Sequence, residues 1–469
     1  MLPRILACLL ALTLLFYTTP AAAQTSTPPP PGPVYIVQSG DNLSDISIRF
    51  NTSVADIMAV NNLVDANIFP GNQLVIPGLE GLSGTLNTQP VPLGQSLRSL
   101  GREYQVDPAL LIKLNHIVSP AQVYAGYNLI LLQQDNHPAL TTHTALSQGD
   151  TLLEMAVRQD SDPWTIAGVN GLAEPATSLP NDVLFLQGGN SDAATGVFPA
   201  SIASVVMDPL PLIQGATAQI EVTLNQAAVL SGMLVDKPLH FFQAPDGAIV
   251  ALQGVHAMTD PGLYPLRIDA TLPDGTIQSF EQMVLVNSGN YLTETINGVD
   301  PATIDPAVTV PEDAWLFSVV APVTNQQYWQ GMFQMPVDSL QYCVRSRYGN
   351  RRTYNNGALH SFHSGIDFGV CSQDHPFDIY APADGVVVYT GLQTVRGNAT
   401  IIDHGQGIYS GFYHQSKILV SVGEHVTAGE LIGQIGETGR VTGPHVHWDL
   451  FVNGVQVNPV DWLNQIYPH

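Results

Sequence analysis

A repeat near the N-terminus constrains this chain more than any other feature. Gly40, Gly94 and Gly149 stand 54 and 55 residues apart, and Asn61, Asn115 and Asn170 keep the same spacing. Self-similarity at a fixed period demands small units, strung or stacked, rather than one large fold. Each copy has the same order: a short apolar strand, a Gly-polar turn, two helix-like stretches, an Asn and a closing apolar strand. In the first copy these are 35–37, the turn Ser39-Gly40-Asp41-Asn42, 43–50, 54–61 and 73–77. Asn42 or Asp41 can cap the first helix and Ser53 the second, because their side chains accept from free helix N–H groups. The expected modules span 34–78, 90–133 and 143–188. The second lacks the Ser-Gly-Asp turn and is degenerate; the third restores the turn but carries Asp182 late in its closing strand.

The repeats use less than half of the 469 residues, so other domains must follow. Acidic residues outnumber basic ones 39 to 15, a net charge of −24, which disfavours a nucleic-acid partner. The plentiful Gly (41) and Pro (35) favour short strands and turns over long helices. Residues 1–23 place Arg4 before an apolar run, 5–16, and end on Ala21, Ala22 and Ala23, the layout of a secretory signal peptide. Cys8 would be lost with it. Residues 24–33 are a Pro-rich tether, since consecutive prolines fix φ and remove donors. No later stretch reaches 18 uninterrupted apolar residues, so the mature chain is expected to be extracytoplasmic, secreted or bound to the envelope, with no stable membrane span.

Residues 200–288 alternate with period 2, as in 218–224, 248–252, 264–268 and 279–286, between turns at Pro245-Asp246-Gly247, Asp260-Pro261-Gly262 and Pro273-Asp274-Gly275. A β-sandwich spacer, immunoglobulin-like, is expected. His240 and His256 have no second ligand at useful spacing. Residues 289–320 read as a poorly structured connector.

From Ala321 onward His becomes dense, at 360, 363, 375, 404, 414, 425, 445, 447 and 469. Two pieces stand out: His363-Ser364-Gly365-Ile366-Asp367, and Thr438 through Asp449 with Gly443-Pro444-His445-Val446-His447 at its centre. On a strand, residues two apart share a face, so His445 and His447 point into one groove. A catalytic zinc takes three His or carboxylate ligands and leaves a fourth position open. Further His nearby can act as base or stabilise an oxyanion. His360, His404, His375, His425 and His469 read as structural or solvated, and Asp449 as a solvent-facing strand residue.

Two resemblances follow. The first module, with its Tyr35–Leu43 opening and Pro70–Pro77 close, resembles the LysM domain. That implies a small α+β (βααβ) fold binding N-acetylglucosamine chains through Gly40, Asp41 and Asn42 with Asn67, Ile68 and Phe69. Residues 321–469 resemble the lysostaphin-type (LytM-like) zinc metalloendopeptidases. The family's H-x-G-x-D stands at 363–367, its T-G-x-S-T-G-P-H-x-H at 438–447, and lesser landmarks at 381–387, 397–398, 402–405 and 422–429. The resemblance implies an antiparallel-sheet domain with zinc (Zn2+) on His363, Asp367 and His447. It also implies His445 as a catalytic base and His414 as a second catalytic His. The family's Tyr-x-His-Leu is here Phe412-Tyr413-His414-Gln415, and Val441 replaces a serine.

The expected whole is therefore multidomain and mainly β: a secreted zinc endopeptidase that hydrolyses peptide bonds of peptidoglycan, anchored on glycan by LysM modules. The alternative is a non-catalytic, peptidoglycan-binding activator of a cell-wall amidase. Cys343 and Cys371, 28 residues apart, are expected to form a disulfide beside the metal loop. Closing such a loop is worth roughly 3 kcal/mol.

Overall fold

The structure, a computed structural model, describes residues 32–119, 123–134, 140, 142–146, 149–178, 183–187, 198–338, 342–370 and 377–469. The expected signal peptide, most of the tether, Asp182, Cys371 and His375 lie outside the described residues. Among the described residues, no helix is long and apolar enough to cross a membrane. The chain divides between Gly84 and Thr85 into two compact units.

The first unit holds the first module. Strands Val34–Ile36 and Gln73–Val75 pair antiparallel, and between them run helices Leu43–Arg49 and Val54–Val60. Asn42 caps the first helix by accepting from the Asp45 N–H, and Ser53 caps the second by accepting from Asp56.

The second unit begins with two modules of the same order. One runs through strand Thr85–Pro90, helices Leu97–Glu103 and Pro108–Leu114, and strand Asn128–Gln133. The next runs through strand His143–Ala145, helices Leu152–Arg158 and Pro163–Val169, and strand Val183–Phe185. The repeated Asn does one job in all three modules. Asn115 Nδ2 donates to the Leu111 carbonyl of its helix and to the Ile130 carbonyl of the closing strand, while its Oδ1 accepts from the Ile130 N–H. Asn61 and Asn170 repeat the pattern with Val75 and Phe185.

The sandwich follows. A five-stranded sheet and a four-stranded sheet share one core. Ile220, Val222 and Ala251 come from one sheet and Leu266, Ile268 and Val284 from the other. Each fully buried aliphatic side chain contributes about 1.5–3 kcal/mol relative to exposure. The second module docks on this sandwich: the Gly94 N–H donates to Gln282 Oε1 at 2.7 Å, and Ala125 bridges to Val284.

The C-terminal domain is built on an eight-stranded sheet whose strands run antiparallel. At its centre, strand His445–Val452 lies between Ile366–Val370 and Ile408–Gln415. The register sets Asp367 and Tyr413 on either side of His447. Trp448, Phe412, Ile366 and Val446 are buried in the core on the sheet's other face.

Residues 289–320 overturn the connector reading. Strand Thr293–Ile296 pairs in parallel with Arg351–Tyr354, and helix Pro306–Val319 packs Leu316, followed by Val320, against Ile401, Tyr409 and Phe451. The helix signals were present: Asp305 caps it and Pro306 opens it. They were obscured by Pro311 inside the helix and by its β-branched residues, which lower helix propensity.

Candidate metal centre and active site

Three buried side chains converge at the sheet centre. His363 Nε2 lies 2.9 Å from Asp367 Oδ1 and 3.0 Å from His447 Nδ1, and His447 Nδ1 lies 2.8 Å from the same carboxylate oxygen. Sequence neighbours enforce this meeting. Asp367 and His447 are register partners on adjacent strands, while His363 enters from the end of hairpin strand Leu359–Phe362. Gly365 between them is obligatory: a Cβ there would run into the Trp448 carbonyl oxygen and the His447 ring.

The far ring nitrogens are already committed. His363 Nδ1–H donates to the Arg347 carbonyl at 2.8 Å, and His447 Nε2–H donates to Asp449 at 2.7 Å. Lone pairs on His363 Nε2, His447 Nδ1 and Asp367 Oδ1 are thereby turned toward one point, which suits a cation. His363, Asp367 and His447 are a group able to hold a metal ion. Two neutral imidazoles and one carboxylate, with both outer ring nitrogens used as donors, fit zinc.

Burial holds His363 below its ordinary pKa. Burial opposes the charge on His447 too, but Asp449 and Asp367 outweigh it and raise that group to about 9. Burial works against the Asp367 carboxylate as well, yet His363 and His447 hold it well below the usual range. A metal ion would replace the proton that His447 otherwise shares with Asp367.

Two more histidines face the same cavity, which measures about 120 Å³ and includes Arg352, Tyr354, Arg396, Tyr413 and Arg440 in its walls. His445 Nδ1 donates to the Gly443 carbonyl at 2.8 Å, so its Nε2 lone pair points inward, 3.7 Å from Asp367 Oδ1. The His414 ring lies 4.8 Å from that of His445. Burial and the neighbouring His445 and His447 hold His414 well below its ordinary pKa, so it is neutral. Its Nδ1–H donates to the Thr438 carbonyl at 2.8 Å, leaving Nε2 as an acceptor.

His414 also has φ of +64°, the left-handed region that a non-Gly residue rarely adopts. The ladder slips here, Asn398 facing Gln415 and Thr400 facing Phe412. This bulge brings both Tyr413 and His414 to the cavity, whereas regular alternation would separate them. Phe412 stacks on Trp448 in the core, and Tyr413 stacks on His447 with ring centroids 5.5 Å apart.

One reading must be corrected. Asp449 is fully buried, not solvent-facing; Gln456 Nε2 donates to its second oxygen at 2.9 Å. His360 is exposed and outside the convergent group. His404 is buried and structural, donating from Nδ1 to the Asp384 carbonyl and accepting at Nε2 from Ser410. His425 is exposed. His469 is exposed, with Nε2 2.8 Å from Asp208. Arg352 was missed altogether: its Nη2 lies 3.3 Å from Asp367 Oδ2 and its Nε 3.4 Å from Glu294. Its signal was a basic residue opposite the H-x-G-x-D hairpin, visible only once the strands were paired.

In the first module, Gly40 takes φ of +89° in an exposed turn, and Phe69 is 65% exposed with Asn67 exposed nearby in sequence. The Asp41 carboxylate is used internally, accepting from Tyr35 Oη at 2.6 Å and pairing with Arg49 at 3.0 Å. The Asn42 side chain is the helix cap.

Comparison with known proteins agrees with this geometry. Residues 361–459 match Peptidase family M23, and residues 35–77 and 91–131 match the LysM domain. The third module, 143–188, lies outside both matches. The chain is 40% identical over 137 residues to the peptidoglycan DD-endopeptidase ShyA of Vibrio cholerae, covering 29% of this chain and 30% of that protein. It is 41% identical over 104 residues to the DD-carboxypeptidase/endopeptidase Mpg of Neisseria meningitidis, covering 22% and 23%. The chain thus spans under a third of the length of these relatives. Among solved structures, the lysostaphin catalytic domain of Staphylococcus simulans is 29% identical, covering 26% of this chain and 93% of that one, with a TM-score of 0.23.

Proposed function

We propose that this chain, with a Peptidase family M23 domain behind two LysM domains, is an extracytoplasmic zinc endopeptidase that hydrolyses peptide bonds of peptidoglycan. The observation that carries the reading is the convergence of three lone pairs, from His363, Asp367 and His447, beside the Nε2 acceptors of His414 and His445. Zinc held by those three residues supplies Lewis acidity at a carbonyl and lowers the pKa of water toward ~7.

The chain's own groups do the rest. His445, oriented by the Gly443 carbonyl, takes the proton of the attacking water at Nε2. His414, neutral and with Nδ1–H committed to Thr438, accepts a hydrogen bond at Nε2 and orients that water. Asp449 fixes the His447 ring, and Arg352 holds the second oxygen of Asp367.

The first module holds the enzyme on glycan. The exposed Phe69 offers a sugar-contacting face, and Asn67, Ile68 and the turn 40–42 are assigned to the same glycan site. Asp41 and Asn42 would contribute main-chain contacts, since their side chains are spent on the fold. The third module shares the architecture and is assigned the same role. Cys343 faces Gly369, two residues before Cys371 in sequence, so a disulfide would brace the strand after Asp367.

The test is digestion of purified peptidoglycan by the mature chain with one equivalent of zinc. Solubilised fragments are expected with the wild type and none with His363→Ala or His445→Ala. Equal digestion by all three would remove the site assignment. Metal analysis showing no stoichiometric zinc, with sacculus binding and no cleavage, would instead favour the amidase-activator alternative.

A further inference from the structure

The catalytic cavity gathers three guanidinium groups, those of Arg352, Arg396 and Arg440. Two are neutralised from within the chain. Arg352 pairs with Glu294 and Asp367. Arg396 pairs with Glu312 at 3.1 Å and Asp313 at 2.7 Å. Arg440 has no carboxylate partner among the described residues. Its guanidinium lies over the Tyr354 ring, 4.8 Å from the centroid, and a single N–H donates to the Thr303 carbonyl at 3.1 Å. A guanidinium carries five N–H donors and stays charged, so most of its donor capacity is left facing the cavity. Burial, with repulsion from Arg396 and Arg352, outweighs the help of Tyr354 and of the more distant Asp313 carboxylate, which is itself paired with Arg396, and lowers its pKa. A half-buried cation short of an anion is costly, and the cost is recovered when a ligand brings one.

We infer that Arg440 is the carboxylate anchor of the substrate groove, binding a free carboxylate of the peptide next to the scissile bond. The enzyme would then take anionic cross-linked stem peptides and disfavour neutral glycine bridges. The planar fork of arginine matches a carboxylate with two parallel hydrogen bonds. Glycine bridges carry no side-chain or branch carboxylate and gain nothing from it. This rests on the endopeptidase reading above and narrows its substrate class. The competing role is structural, with Arg440 only tying the Thr303 turn to Tyr354.

The experiment uses the zinc-loaded full chain and two cross-linked muropeptide dimers. They are identical except that the carboxylate beside the cleaved amide is free in one and amidated in the other. For the wild type, KM is expected to favour the free carboxylate by about 10- to 100-fold, the effect of a hydrogen bond to a charged group. Arg440→Gln should raise KM for the free dimer to that of the amidated one, with kcat little changed, and Arg440→Lys should restore part of the preference. Equal KM values in the wild type, or a preference kept by Arg440→Gln, overturn the proposal. A purely structural role would lower kcat for both dimers alike. Calorimetric binding of the cleaved stem peptide, free against amidated, decides the matter independently of turnover and of whether the variant folds. Equal affinity for the two in the wild type overturns Arg440 as anchor. Cleavage of neither dimer, beside tighter binding of the free peptide, would leave the anchor standing and remove the endopeptidase reading.

Discussion

Asp449 shows how a single residue's role turns on what covers it. It shares strand parity with His445 and His447, so its side was readable from a period of two. Its exposure was not, because that depends on strand His445–Val452 lying in the middle of the sheet with nearly every residue buried. There the carboxylate accepts from His447 and Gln456 and sets the ring that faces Asp367. Asp449→Ala should weaken affinity for the proposed zinc about 10- to 100-fold, as loss of an outer carboxylate typically does, read by competition against a chelator of known affinity. His404 makes a different prediction. Burial holds its pKa down to about 4. The unfolded chain therefore binds this proton first, so stability from neutral His404 is complete above ~6.5 and is lost as pH falls toward 4. The shift corresponds to roughly 3 kcal/mol. Denaturant melts at pH 7 and pH 4.5 should show this acid loss in the wild type and a smaller one in His404→Gln. Equal losses would mean that another buried group carries the acid sensitivity.

At the scale of elements, the repeated Asn and the helix Pro306–Val319 were legible to opposite degrees. The Asn spacing is plain in the sequence, but its purpose shows only once the helices and strands are placed. It ties the end of the second helix to the closing strand, satisfying carbonyl and N–H groups that short elements would otherwise leave unpaired. Asn170→Ala should cost its module about 1–3 kcal/mol, the usual penalty for stranding buried polar groups, measured by hydrogen exchange at the Phe185 amide. The metal motifs were legible because ligand chemistry restricts residue type and spacing. The helix was not, because its role is tertiary. Glu312 accepts from the backbone N–H groups of Val395 and Arg396, and Leu316 fills the core beside Tyr409. A C-terminal fragment beginning at residue 321 would lose both. It should melt well below a fragment beginning at 289, or fail to accumulate soluble protein. Matching melts would show that the helix is dispensable to the sheet.

At the scale of the whole molecule, charge is divided unevenly along the chain. From residue 321 onward there are 11 acidic and 7 basic residues, a charge of −4, so most of the −24 belongs to the modules, the sandwich and the segment before the sheet. The second module is joined to the sandwich through Gly94 and Ala125. The sandwich in turn holds the peptidase domain: Trp462 Nε1 donates to Thr217, and the Asn458 N–H donates to the Gly215 carbonyl. Removing 34–188 would strip contacts from the sandwich along with the proposed glycan-binding surface, and a loss of activity there would be uninterpretable. Truncation at the division between Gly84 and Thr85 avoids this, because residues 85–469 form a compact unit. That fragment should cleave soluble cross-linked peptides with kcat/KM within about twofold of the full chain, a difference under about 0.5 kcal/mol in transition-state stabilisation, since it keeps every residue that lines the cavity. Its retention on insoluble peptidoglycan in a pelleting assay should fall, because the exposed Phe69 face is gone. Unchanged retention would place glycan binding in the later modules, and a lost peptide activity would show that the first module serves the reaction as well as its address.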